Sequence, residues 1–107
     1  MKRSLELDLP IIKADTFMKR FKGLMFERKP YVNKALHLTP CDSIHMFFMR
    51  FPLDIVFLDK ENRIVDVRHN LQPWRIAIPK KRAYSTLELP AGTIKKNNIQ
   101  IGDQVVL

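Results

Sequence analysis

A chain of 107 residues with 46% apolar and 28% charged side chains has the make-up of a folded domain with one modest core, which excludes a disordered segment. Its one cysteine, Cys41, excludes a disulfide scaffold, and 3 Gly with 7 Pro scattered singly exclude a collagen-like repeat. The net charge of +8 is unevenly placed: residues 1–34 hold nine basic and four acidic side chains, 35–67 three and five, and 68–107 seven and two.

Leu5, Leu7 and Leu9 alternate with Ser4, Glu6 and Asp8, the period of a half-buried strand that Pro10 stops. Ile11 and Ile12 start a second extended piece. Asp15 or Thr16 reads as a helix N-cap, Phe17 and Phe21 share a face, and Gly23 ends this short helix after Lys22. Glu27–Asn33 is a polar loop, and Ala35, Leu36 and Leu38 make a strand that ends before Pro40. Ile44–Leu58, IHMFFMRFPLDIVFL, is the most apolar stretch. Extended, it places Ile44, Met46 and Phe48 on one side and His45, Phe47 and Met49 on the other, so burial on both faces is expected. Arg50-Phe51-Pro52-Leu53 is a bend, because proline restricts itself and its predecessor. Asp54–Leu58 is a second buried strand, joined through Asp59-Lys60-Glu61-Asn62 to a return strand at Arg63–Arg68.

His69–Pro73 is a loop, after which Trp74, Ile76 and Ile78 share one face of a short strand. Pro79 opens a basic turn, Lys80-Lys81-Arg82, and Ala83–Leu89 is a strand ended by Pro90. Thr93–Asn98 forms one helical turn capped by Thr93. Ile99–Ile101, a Gly102-Asp103 turn and Val105–Leu107 close the chain. Seven or eight short strands with one short helix near the N-terminus describe a single mainly β domain, 1–107, as a small barrel or sandwich. Polar residues and Pro10 interrupt any secretory hydrophobic stretch, and no run nears the roughly 18 apolar residues of a transmembrane segment. With an unpaired cysteine, the expected location is cytoplasmic.

Gly23-Leu24-Met25, the stretch Ser43–Leu58 with MRFPLDIVFLD, LELPAG at Leu87–Gly92 and IGDQV at Ile101–Val105 resemble the domain-of-unknown-function family 192, in order and spacing, from about Asp15 to the end. The resemblance implies a mainly β domain of barrel-like or jelly-roll-like character and no assigned activity. Many relatives have a Trp-Met-Lys-Asn-like stretch where this chain has His45–Arg50, HMFFMR, and many carry an export signal that is not seen here.

Several residues have the chemistry of a site. Cys41 and His45 are a nucleophile and a base, with Asp54 as an orienting carboxylate. Four strand residues span roughly 13 Å, beyond hydrogen-bond reach unless a bend after Pro40 shortens the gap. The plainer alternative is a small buried thiol beside a hydrogen-bonded core histidine. Cys41, His45, Met46 and Met49 are ligand types for a soft metal, yet Met46 points away from His45 in an extended segment. No Cys-x-x-Cys or paired-histidine spacing occurs, so no metal and no other cofactor is expected.

Arg50 and Asp54 flank Phe51-Pro52-Leu53 in apolar surroundings, where a carboxylate needs partners. Asp54 either accepts turn N–H groups or pairs with Arg50, while Arg50 is suited to a carboxylate or phosphate. Glu88, between Leu87 and Leu89, faces water with Thr86 and Tyr84 on an alternating strand, or lines a polar barrel interior. Lys80-Lys81-Arg82, Lys95-Lys96 and Lys19-Arg20-Lys22, with Trp74, Tyr84 and Tyr31, are the makings of a nucleic-acid face. The favoured function is a non-catalytic binding or accessory module. It would hold a small anionic ligand near residues 43–54, with His45, Met49, Arg50, Asp54, Cys41 and Glu88 as the site. An enzyme using Cys41 and His45, and a nucleic-acid-binding barrel using the basic loops, are the alternatives.

Overall fold

Alternation and proline placement set most of the strands. The computed structural model describes residues 3–14, 16 and 34–107; the expected N-terminal helix, the Lys19-Arg20-Lys22 cluster and Tyr31 fall outside the described residues. The strands are β1 (Ser4–Leu5), β2 (Ile11–Ala14), β3 (Ala35–Leu38), β4 (Ile44–His45), β5 (Leu53–Leu58), β6 (Ile64–Leu71), β7 (Ile76–Ala77), β8 (Ser85–Pro90) and β9 (Gln104–Val105). A single turn of helix, α1 (Thr93–Lys96), follows β8. The fold is mainly β. The main sheet has the order β2-β3-β8-β5-β6, two-stranded ladders β1-β9 and β4-β7 complete it, and an Arg63–Gln104 bridge joins the start of β6 to β9; the described strands do not close into a barrel.

β5 and β8 are each buried along nearly their whole length because both faces of the sheet are covered. Leu36, Leu38, Ile55 and Phe57 face one core with Ile44, Met46, Met49 and Phe51. Ala35, Val56, Leu58, Leu87 and Leu89 face the other with Leu5, Leu7, Ile94, Ile99 and Val105. Glu88 opposes Leu36 and Ile55 across its two neighbours, which places it on the first of these faces. It is 4% exposed, and Thr86 is buried too. The water-facing reading of Glu88 and Thr86 therefore gives way: a core is packed on each face of the sheet at β8, so neither side chain meets solvent. On the opposite face His37 Nε2 lies 2.9 Å from Ser85 Oγ, and burial, then the charge of Lys13, lowers the His37 pKa.

The strand expected through Ile44–Met49 is also corrected. β4 ends at His45, and the Met49 N–H donates to the Met46 carbonyl at 3.3 Å, closing a turn. Ile44, Met46, Met49 and Phe51 go inward, whereas Phe47 and Phe48 go out. The expected Thr93 cap is replaced as well. α1 begins after Gly92, whose φ of 94° is a conformation glycine adopts without strain, and no side chain of α1's own caps it. The Thr93 hydroxyl donates back to the Pro90 carbonyl instead.

Candidate functional site

The Met46–Met49 turn is built against a distant segment. The Trp74 N–H donates to the Met46 carbonyl at 2.7 Å and the Met46 N–H to the Arg75 carbonyl at 2.6 Å. Ile44 pairs with Ala77 and His45 with Ile76 in the β4-β7 ladder. Met46 and Met49 anchor the turn in the core, so the residues between them project outward. Phe48 occupies the third turn position with φ 62°, where turns of this hand use Gly or Asn. Trp74 has φ 68°, a second left-handed bulky residue. Their rings meet at 5.0 Å, Phe47 lies 5.9 Å from Trp74, and the His45 ring lies 5.0 Å from Phe47. The result is a raised aromatic platform continued by the exposed face of β7. Phe47 is 37% exposed, Phe48 49%, Trp74 58%, Ile76 59% and Ile78 68%.

Charged groups on β6 fix the far side of the platform. Asp66 accepts the Lys80 N–H at 2.8 Å, the Arg68 guanidinium at 2.7 Å and the Val67 N–H at 2.9 Å. Burial pushes the Asp66 carboxyl up, but these donors outweigh it and hold the pKa below its ordinary value. Arg68 in turn donates to the Ile78 carbonyl at 2.8 Å. The segment after β7 is thereby tied to the main sheet.

The residues singled out from the sequence separate into three groups. His45 and Arg50 lie in the platform segment: His45 is half-buried with Nδ1 accepting the Phe47 N–H at 3.3 Å, and Arg50 is exposed. Met49 is a core anchor beneath them. Asp54 is 1% exposed and committed to the backbone: Oδ1 accepts the Asn70 N–H at 2.8 Å, and Oδ2 accepts Gly92 at 3.0 Å and Ile94 at 2.9 Å. It is the remote cap of α1, held by backbone N–H groups and not by Arg50. Cys41 and Glu88 form the third group: Cys41 packs against the same core as Met49, and Glu88 lies on the sheet face which that core covers.

Cys41 donates to the Ser43 carbonyl at 3.1 Å, and its own carbonyl accepts the Thr86 hydroxyl at 2.9 Å. Burial pushes the thiol up, with the Glu88 and Asp42 charges adding to the rise and the neighbouring Thr86 and Ser43 only partly opposing it. A nucleophilic thiolate needs the opposite shift. Cys41 also borders an open cleft of about 710 Å³, with Asp42, Asp59, Lys60, Glu61, Arg82 and Tyr84 on its walls. Three carboxylates face two cations there, so the cleft has no bias toward an anion. Among the described residues no three His, Cys, Asp or Glu side chains gather closely enough to hold a metal ion.

Phe47, Phe48, Ile76 and Ile78 were not legible as a site. The available signal was Trp74–Ile78, where alternation puts Trp74, Ile76 and Ile78 on one side and Arg75 and the small Ala77 on the other. The small residue is the one that packs inward.

The family model described as Uncharacterized ACR matches residues 2–107. A UPF0127 protein from Thermococcus sibiricus is 44% identical over 98 residues, covering 86% of this chain, which spans 62% of that relative's length. A UPF0127 protein from Pyrococcus furiosus is 35% identical over 105 residues, covering 94% of this chain and 88% of its own. Two solved structures share the fold, each with a TM-score of 0.78 over 88% of this chain. One is a protein of unknown function from Novosphingobium aromaticivorans, 22% identical and 71% covered. The other is a proposed transcription regulator from Sinorhizobium meliloti, 25% identical and 78% covered. With the motifs at Ser43–Leu58, Leu87–Gly92 and Ile101–Val105 lying within the match, this chain belongs to the domain-of-unknown-function family 192, a family without an assigned activity.

Proposed function

We propose that this chain is a non-catalytic binding module that receives an anionic partner on the β4-β7 platform, with Arg50 and His45 as its polar groups and Met49 as its anchor. One observation carries the reading: Phe48 and Trp74 both hold left-handed backbone, ring against ring, and remain exposed. A bulky residue in that conformation costs about 1–2 kcal/mol, and strain retained at an exposed position points to use rather than to stability. Sign selection comes from composition. Residues 43–53 and 74–81 contain Arg50, Arg75, Lys80 and Lys81 and no aspartate or glutamate. Asp54 supports this module as a structural carboxylate, and Cys41 and Glu88 serve the interior beside the cleft.

The test uses Trp74, the chain's one tryptophan. Heparin fragments, a soluble polyanion, should change its emission at low salt, and added salt should reverse the change. No emission change and no retention on a heparin column at low salt contradict the reading. The name of the Sinorhizobium meliloti neighbour and the basic loops Lys80-Lys81-Arg82 and Lys95-Lys96 support a second reading, a nucleic-acid face.

A further inference from the structure

We propose that the platform docks this protein on an anionic lipid bilayer, with the rings and isoleucines entering the headgroup layer and the flanking cations meeting lipid phosphates. This rests on the anionic-partner reading and names the partner.

The choice of a bilayer follows from which side chains are exposed and what their faces already touch. Ile76 and Ile78 are the most exposed members of the platform and offer no π face for a nucleobase. They gain only by leaving water. Phe47 and Phe48 already pack against Trp74, at centroid distances of 5.9 and 5.0 Å and tilted by 30° and 60°, so the three rings spend part of their surface on one another. A base-stacking site keeps its ring faces open. A tryptophan at the rim of an aliphatic patch suits the headgroup layer, which is apolar on one side and wet on the other.

Arg50, Arg75, Lys80 and Lys81 are all exposed, and no carboxylate in either segment opposes their attraction to anionic headgroups. Apolar insertion and a basic rim together supply the two signals that peripheral membrane binding needs. A second copy of this chain seated on the same face would set these cations against each other. The docking is peripheral: no helix among the described residues is long and apolar enough to cross a membrane.

Vesicles of phosphatidylcholine with a large share of phosphatidylglycerol supply the probe. Trp74 emission should shift to the blue on titration, and bromine-labelled acyl chains should quench it. Pure phosphatidylcholine vesicles should bind far more weakly. Arg50→Gln and Arg75→Gln should each weaken binding about fivefold. Phe48→Gly keeps the tryptophan and suits the local φ, so it should retain the wild-type urea midpoint while binding falls. Equal binding to neutral vesicles, or a Phe48→Gly variant that folds and binds as wild type, overturns the inference. A blue shift that grows with protein concentration alone identifies a self-associating face and also overturns it. If single-stranded oligonucleotides or heparin fragments shift Trp74 and vesicles do not, the bilayer is excluded while the anionic-partner reading stands. If none of the three does, both fall.

Discussion

At position 54 one carboxylate ties two other backbone segments to β5. Its acceptors reach N–H groups that lie 16, 38 and 40 residues further along the chain. From the sequence, Asp54 had two structural partners to choose between, turn N–H groups or Arg50. Local spacing favours neither, because the donors arrive from β6 and from the turn before α1. Hydrogen bonds to a charged acceptor contribute about 1.5–3 kcal/mol, and a buried donor left bare loses its solvation. Asp54→Ala should therefore lower stability by about 3 kcal/mol or more, read from the urea midpoint. Asp54→Asn should recover little of it. With its oxygen toward Gly92 and Ile94, the amide nitrogen faces the Asn70 N–H, donor against donor. A wild-type midpoint for Asp54→Asn contradicts this assignment. Glu88 carries a related lesson. Its alternation with Leu87 and Leu89 was legible, but the burial of its face was not, since that depends on the Ile44–Phe51 segment covering that side of the sheet.

Among the elements, β5, the Asp59–Asn62 connection and β8 were readable because apolar runs and turn residues bound them. In the connection, Asp59 Oδ1 accepts the Glu61 and Arg63 N–H groups at 2.9 Å each, and Asn62 takes φ 64°. Ile44–Met49 was misread for a definable reason. Its apolar content is uniform, so periodicity does not distinguish a two-sided strand from a turn whose methionines anchor and whose phenylalanines project. The pairing that decides it, β4 with β7, joins segments about 30 residues apart. The platform's position depends on Asp66, which holds the Lys80 N–H directly and Ile78 through Arg68. Asp66→Ala should speed hydrogen exchange at the Lys80 amide and cost about 2 kcal/mol. Unchanged Lys80 protection shows that the segment is held by other contacts.

For the whole molecule, mainly β content was legible from strand-length apolar segments between prolines, whereas the open sheet order was not. It is set by long-range pairings that no local pattern encodes, including the parallel match of Ser4 with Gln104. Arg3 fastens those two ends. Its guanidinium bonds Asp103 Oδ2 at 3.0 and 3.1 Å and also donates to the Asn98 carbonyl. Burial raises the Asp103 pKa, but Arg3 and the Gln100 N–H outweigh it, and the folded value lies below the ordinary 3.8. A depressed carboxyl stabilises the fold above the unfolded value and loses that contribution as pH falls through the folded one. Stability should thus decline below about pH 4, with Asp66 acting in the same direction. Arg3→Ala should reduce stability by about 1 kcal/mol at neutral pH, a small amount because the guanidinium is half exposed and screened. It should also flatten the acid decline. An acid limb as steep as wild type in Arg3→Ala contradicts the coupling.

The binding reading and the bilayer inference both require the Met46–Met49 turn to hold its phenylalanines outward against an exposed Trp74. Acrylamide quenching of the single tryptophan tests this directly in the unliganded protein. The expected result is red-shifted emission with quenching close to that of a solvated indole, increasing further in Phe48→Gly. A blue-shifted, shielded tryptophan that Phe48→Gly leaves unchanged would mean that the platform does not exist.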